Sequence, residues 1–338
     1  MQLILILPIL LGFFITLFFL PYWIKKAKQI GLIWEDMNKY LHPKGAAGSG
    51  GLIVLFGFSI GVLLYVAIKT FIIKGDVITT SIFAILTTVI IAGIVGLVDD
   101  FLGWKKGGLP AWFRICLMLI AAIPLIVINA GEHDVAIPLI GVVSLGIWYA
   151  FIIVPIGVMG ASTGFNILAG FNGLEASQGI IILSSLALVT ALTGKTWVTL
   201  IALIMVASLA AFYVFNKHPA KVFPGDVMTY SVGALIACIA IFGNIERFSL
   251  LIFTPYFIEG FLKIRGKLNK QSFGKPNKDH SLEVPYEKFY GLEHIAIYLL
   301  KKIKKDGKAY EKEVVYLINL FQIIIVITAL ILFRKAIF

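Results

Sequence analysis

Four stretches of this chain hold side chains that could do chemistry, and each borders a long apolar run. Asp99-Asp100 lies in Gly96-Leu-Val-Asp-Asp-Phe-Leu-Gly-Trp-Lys-Lys-Gly-Gly-Leu-Pro110. Two adjacent carboxylates can hold a divalent cation, act as a general base or orient lysines such as Lys105 and Lys106. The spacing places them at a helix end, where the helix dipole favours cations, so they sit against the field. A functional pair and a solvated loop start account for them equally well. Asn166-Ile-Leu-Ala-Gly-Phe-Asn-Gly-Leu-Glu175 sets two amides six residues apart with Gly170 and Gly173 close by. Glycine lets a backbone approach a ligand closely. Amides read bases and offer oxygen to hard metals. A plain turn between helices would use the same residues. Phe223-Pro-Gly-Asp226 puts an aromatic ring three residues before a carboxylate. Asp226 is placed to cap the following helix, or to hold a metal while Phe223 stacks on a base. The fourth stretch, 263–313, carries 13 Lys and Arg against seven Asp and Glu, the composition of a solvated, lipid-facing loop. Within it, Ser281-Leu-Glu-Val-Pro-Tyr-Glu-Lys-Phe289 alternates like a short hairpin or extended segment.

The elements that must position these groups are membrane spans. Of 338 residues, 59% are hydrophobic and 14% charged, where a soluble chain carries about a quarter charged. Mean hydropathy is +0.97. Roughly 20 apolar residues cross the hydrocarbon as a helix. On that length the sequence predicts ten spans: Leu3–Ile24, Gly51–Ile73, Ile78–Val98, Arg114–Ala130, Pro138–Gly160, Ala176–Leu192, Trp197–Phe215, Val227–Phe242, Phe248–Leu262 and Val314–Phe333. The expected fold is therefore all-α and polytopic, one integral membrane domain over 1–338, with 263–313 linking spans nine and ten. Pro155 and Pro255 interrupt two spans, and Glu259 is expected at the interface, four residues before Lys263. Cys116 and Cys238 fall inside apolar runs and read as packing residues rather than a disulfide.

Ten spans sort the connecting segments into two sets. Segments 25–50, 99–114, 161–175, 216–226 and 263–313 hold 23 of the 29 Lys and Arg. The positive-inside rule places that set, and with it every motif, in the cytoplasm of a multi-pass cell-membrane protein. The net charge of +11 is then juxtamembrane, suited to anionic lipid or phosphates rather than to nucleic acid. One face would gather metal ligands, a carboxylate pair, an aromatic ring and ammonium groups. That set suits phosphoryl transfer from a nucleotide, which rests on positioning and charge neutralisation.

At these residues the chain resembles the polyprenyl-phosphate N-acetylhexosamine-1-phosphate transferases, the superfamily of the bacterial phospho-MurNAc-pentapeptide translocase and the eukaryotic UDP-GlcNAc:dolichyl-phosphate GlcNAc-1-phosphate transferase. Asn166 through Glu175 and Ser281 through Phe289 look like the eukaryotic signature, as does Asp36-Met-Asn-Lys39. The resemblance implies a helical bundle with its active site on the cytoplasmic face and a lipid groove near span nine. It implies UDP-GlcNAc and a polyprenyl or dolichyl phosphate as substrates, membrane location, a homodimer as one possible assembly, and Mg²⁺ as cofactor with Mn²⁺ able to stand in. Asn166 and Asp226 match the metal ligands. Gly170, Asn172 and Phe223 match positions around the uracil, and Lys106 matches the phosphate-contacting lysine. Asp99 and Asp100 match the catalytic pair, with Asp99 the first choice for any base.

Two departures stand out. The family's Arg/His cluster that grips the pyrophosphate corresponds here to Lys267-Leu-Asn-Lys-Gln-Ser-Phe-Gly-Lys275, which leaves Lys270 and Lys275 as substitutes. Lysine supplies point charge without a bidentate fork. Lys44 also stands where the eukaryotic enzyme carries an acid. Two further readings stay open: the same reaction on another UDP-N-acetylhexosamine or on UDP-MurNAc-pentapeptide, and secondary transport. Transport would need ionisable groups near the midplane of broken, repeated helices, whereas the acids here lie at span ends.

Overall fold

The computed structural model describes residues 3–74, 78–137 and 141–337; the side chains of 105, 106, 135–137, 141, 142, 336 and 337 also lie outside the description. The chain is a helical bundle. Its helices are α1 (Ile6–Gln29), α2 (Gly51–Ala67, continued by a π-helical turn over Ile68–Ile73), α3 (Thr79–Lys106), α4 (Ala111–Ala121), α5 (Ile123–Val127), α6 (Val154–Ile167, entered through a π-helical turn over Tyr149–Ile153), α7 (Leu174–Leu192), α8 (Thr196–Asn216), α9 (Gly225–Gly243), α10 (Glu246–Ile252), α11 (Thr254–Arg265), α12 (Leu292–Ile303) and α13 (Glu311–Leu332). Among the described residues, eight helices are long and apolar enough to cross a membrane. The expected fourth and ninth spans are each two helices in series, α4–α5 and α10–α11. The cause is proline: Pro124 and Pro255 stand in the first turn of α5 and α11, where the missing N–H is tolerated and the preceding helix must stop. The chain is a multi-pass membrane protein.

Three expectations need correction. The fifth span begins at Tyr149, not Pro138. Before it, β3 (Asp134–Ile137) pairs antiparallel with β4 (Gly141–Ser144), and the expected start at Pro138 lies outside the described residues. A β-branched residue such as Val143 suits the pleated surface of this hairpin. Second, α3 continues to Lys106, so Asp99 and Asp100 sit inside a helix and not at its end. Third, 263–313 is not a loop throughout. It folds α12 and a small ladder, β5 (Lys275–Pro276) on β6 (Leu282–Glu283), and it buries Glu293 and His294 completely. Glu259 is likewise fully buried rather than interfacial. Cys238 is buried, while Cys116 is exposed on α4.

α9 is the most deeply buried of the crossing helices, packed by α3, α6, α2 and α7. Between membrane helices close packing must replace hydrophobic drive, so small residues mark the contacts. A side chain at Gly96 would strike the Asp226 carbonyl, and one at Gly233 would strike that of Ala161. These two glycines let α3 and α6 lie against α9 at the level of its polar end. The outer helices expose Phe14, Phe18, Phe19 and Tyr22 on α1, the lipid-facing surface of the bundle. At the polar end, β1 (Ile33–Glu35) and β2 (Lys44–Ala47) form a hairpin. Ala47 pairs with Val222, and the Gly50 N–H donates to the Phe223 carbonyl at 2.9 Å. The segment before α2 is thereby stitched to the segment before α9.

Candidate active site

Asp99, Asp100, Asp226, Asn166 and Arg114 converge from four helices. Arg114 Nη1, in the first turn of α4, lies 2.9 Å from Asp99 Oδ2 and 3.5 Å from Asp226 Oδ2. Asp99 Oδ1 also accepts the Leu109 N–H at 2.5 Å, so both its oxygens are engaged. Asp100 Oδ1 accepts the Asp226 backbone N–H at 2.7 Å, and its second oxygen faces Ser49 and Gly225. Asp226 stands in the first turn of α9, where the dipole suits it, but Pro224 occupies the N-cap position and the Asp226 carboxylate turns to Arg114 and Asn166. Asn166 Nδ2 lies 3.3 Å from Asp226 Oδ2, while Thr229, one turn along α9, donates to Asn166 Oδ1 at 2.9 Å. Two of the three carboxylates therefore share one guanidinium. The deficit of positive charge at this point suits a ligand bringing cations.

Asp100, Asn166 and Asp226 line a cavity of about 860 Å³, within the usual range for small-molecule sites, with the Asp99–Arg114 pair just behind them. Asp100, Asn166 and Asp226 share it with Gly170, Asn172 and Phe223, three further residues that the sequence singled out. Around Gly170 the backbone is fixed from several sides. Its N–H donates to Glu175 Oε1 at 2.9 Å, and its carbonyl accepts from Asn38 Nδ2 at 2.8 Å. Asn38 Oδ1 in turn accepts the Gly274 N–H at 3.0 Å. Asn172 donates from Nδ2 to Asp36 Oδ2 at 3.0 Å and from its N–H to Glu311 Oε1 at 2.8 Å. The other Glu311 oxygen takes Lys39. His218 Nε2 lies 3.6 Å from that oxygen; burial and the Lys39 charge hold the imidazole below its usual range, so it is neutral at pH 7. The motif Asp36-Met-Asn-Lys39 thus acts as a brace for the Asn-rich loop.

Gly170 has φ +104°, and a Cβ there would meet the Phe273 ring at 2.6 Å. Gly170→Ala is therefore expected to raise the Michaelis constant for a nucleotide substrate more than tenfold, from strain and a displaced wall. Steady-state kinetics with the nucleotide varied measures this, and an unchanged constant would remove Gly170 from the binding wall.

Two candidates lie apart. Lys270 Nζ sits 4.9 Å from the centre of the Tyr286 ring, and Lys275 is exposed on β5; neither lines the cavity. The Lys106 side chain lies outside the described residues. Lys44 does line the cavity, at 3.2 Å from Glu35. Sequence reading missed Arg114 because it begins an apolar run and looks like an interfacial anchor; its spacing from Asp99, close to four helical turns across a break, gave no signal.

Beside this centre an apolar groove of about 300 Å³ runs between α6 and α11, lined by Gly160, Thr163, Gly164, Ile167, Phe257 and Phe261 among others. Ile167, which lines it, is the chain neighbour of Asn166. Among the described residues no three His, Cys, Asp or Glu side chains form a metal cage. Mg²⁺ does not require one, since it takes one or two carboxylates and completes its shell with water and phosphate. The Asp226 carboxylate fits that role; Asn166, whose amide nitrogen lies 3.3 Å from it, would ligate through Oδ1, which here accepts from Thr229 at 2.9 Å.

A family model described as glycosyl transferase family 4 matches residues 82–244, the stretch from α3 to the end of α9. A Saccharolobus solfataricus protein is 36% identical over 329 residues, covering 97% of this chain and 96% of its own. It carries the provisional name UDP-N-acetylglucosamine--dolichyl-phosphate N-acetylglucosaminephosphotransferase. A Sulfolobus acidocaldarius protein of the same provisional name is 32% identical over 80% of both chains. A Streptococcus pyogenes phospho-N-acetylmuramoyl-pentapeptide-transferase is 31% identical over 74% of this chain and 76% of its own. This chain is a membrane-embedded enzyme of glycosyl transferase family 4, the superfamily of polyprenyl-phosphate N-acetylhexosamine-1-phosphate transferases, and within it sides with the archaeal and eukaryotic dolichyl-phosphate type.

Proposed function

We propose that this enzyme transfers N-acetylglucosamine-1-phosphate from UDP-N-acetylglucosamine to a polyprenyl phosphate of the dolichyl type and releases UMP. The observation that carries the reading is a nucleotide-sized polar cavity lined by Asp100, Asn166 and Asp226, with Arg114 on Asp226 and a separate apolar groove between α6 and α11. The nucleoside lies at Gly170, Asn172 and Phe223. The prenyl chain lies along α6 and α11, which brings its phosphate to the Asn166 end. An oxygen of the lipid phosphate attacks the β-phosphorus, the new P–O bond forms, and the bond from that phosphorus to the bridging oxygen breaks. UMP leaves with the electron pair. The lipid phosphate is largely ionised at neutral pH, so no strong base is needed. Asp99 holds Arg114 against the pyrophosphate, and Asp100 holds the start of α9 so that Asp226 and Asn166 face the same oxygens. Mg²⁺, held by Asp226 and Asn166, would offset the pyrophosphate charge.

The purified protein in lipid nanodiscs, given UDP-GlcNAc, should release UMP only when dolichyl phosphate is present. Release without lipid, or transfer from UDP-MurNAc-pentapeptide in its place, would overturn the assignment. The second substrate is the alternative carried by the bacterial relative's name.

The site is cytoplasmic on this reading, since the Lys and Arg excess lies at its end of the bundle. Single cysteines at Gly107 and His133, in a background lacking Cys116 and Cys238, should label from opposite faces of sealed vesicles. Labelling from one face would contradict the topology.

A further inference from the structure

Beneath the cavity wall formed by Gln271 and Phe273 lies a cluster of ionisable groups that the reaction does not use. Glu259 on α11 and Glu293 and His294 on α12 are fully buried. Glu259 Oε2 accepts the Leu292 N–H at 2.6 Å, and Glu259 Oε1 lies 3.4 Å from Lys263 Nζ. Lys263 donates to the Ser272 hydroxyl. His294 Nδ1 accepts the Tyr290 N–H at 3.2 Å, and its ring lies against the backbone of Ser272 and Phe273. Glu293 meets Glu259 across Gly291, and its oxygens have no hydrogen-bond partner.

Charge balance decides how this cluster works. Two buried carboxylates face one ammonium. Burial and the Glu259 charge raise Glu293 well above the usual carboxylate range, which favours its neutral form. Burial also lowers His294, which stays neutral. What remains is a compensated Glu259–Lys263 pair in a dry site. Such a pair adds little net stability, yet it is rigid, because separating the charges there is expensive. Its free end holds Ser272, the residue before Phe273, whose ring covers Gly170.

We propose that Lys263 is a positioning residue for the nucleoside end of the cavity: clamped by Glu259, it pins Ser272 and so fixes Phe273 against Gly170. This rests on the nucleoside placement given above. A loosened wall weakens ground-state and transition-state binding alike, so it should raise the Michaelis constant for UDP-GlcNAc and leave kcat alone.

The test uses full-length protein in nanodiscs. Ser272→Ala and Lys263→Met should each raise that Michaelis constant, and the inhibition constant for UMP, by about tenfold, as loss of a hydrogen bond to a charged group does. The Michaelis constant for dolichyl phosphate and kcat should stay within about twofold. The double variant should match the singles, because both remove one link. Glu293→Gln, which keeps a neutral side chain of the same shape, should behave like the parent. An active parent whose Ser272→Ala variant keeps its nucleotide constants overturns the proposal and leaves the function standing; Ser272→Ala decides this even where Lys263→Met does not fold. Singles whose effects multiply in the double also overturn it. A parent inactive with UDP-GlcNAc overturns both.

Discussion

Asp226→Ala should lower lipid-dependent UMP release by at least about 100-fold while the protein stays folded, the scale typical for loss of one electrostatic stabiliser. Asp226 is where the cluster's interactions meet. Its carboxylate faces Arg114 at 3.5 Å and Asn166 at 3.3 Å, and its own N–H anchors Asp100. The substitution keeps the N–H and so keeps the Asp100 anchor. It also costs no helix cap, because the side chain makes none. Were Asp226 a capping residue, the loss would be about 0.5–2 kcal/mol of stability with activity kept. Turnover and thermal unfolding measured on one preparation separate the two outcomes. Near-parental turnover at saturating Mg²⁺ would remove Asp226 from the reaction.

Arg114→Ala should be nearly as damaging, about 100-fold or more in kcat. The guanidinium is the one cation seen to bridge two of the three clustered carboxylates among the described residues, and on the proposed reading it faces the pyrophosphate. Arg114→Lys should recover part of the loss, because a point charge replaces the fork only in part. Lys270→Ala and Lys275→Ala should change turnover little, since Lys270 rests on Tyr286 and Lys275 is exposed on β5. A large loss in the double Lys270/Lys275 variant beside a mild Arg114→Ala would return the pyrophosphate contact to the basic segment. Transfer assays at saturating lipid phosphate measure all five variants.

The spans were legible because lipid demands long apolar helices, and seven of the ten expected spans are continuous helices at their expected places. The breaks near Pro124 and Pro255 follow from proline chemistry. The hairpin before Tyr149 was hidden, because Val-rich strands and apolar helices share one composition. Asp99-Asp100 seemed to end a helix because charge normally marks the edge of a span; α3 carries them inside because α9 and Arg114 receive them. The cavity residues Asn166, Gly170, Asn172, Phe223 and Asp226 were readable as short polar motifs on one side of the membrane. Arg114 and Glu311 were not, since their meaning lies in partners up to 272 residues away, as Glu311 meets Lys39. The burial of Glu259 and Glu293 also escaped the sequence: a carboxylate near lysines reads as solvated until packing removes the water.

The most direct measurement follows the β-phosphorus. UDP-GlcNAc labelled with ³²P at the β position is given to the purified enzyme with dolichyl phosphate in nanodiscs. Transfer of sugar-1-phosphate predicts that the label moves into the lipid and that the released nucleotide is unlabelled UMP. Label retained in released UDP would mean that the sugar alone is transferred, and it would contradict the account of the Asp226 and Arg114 centre.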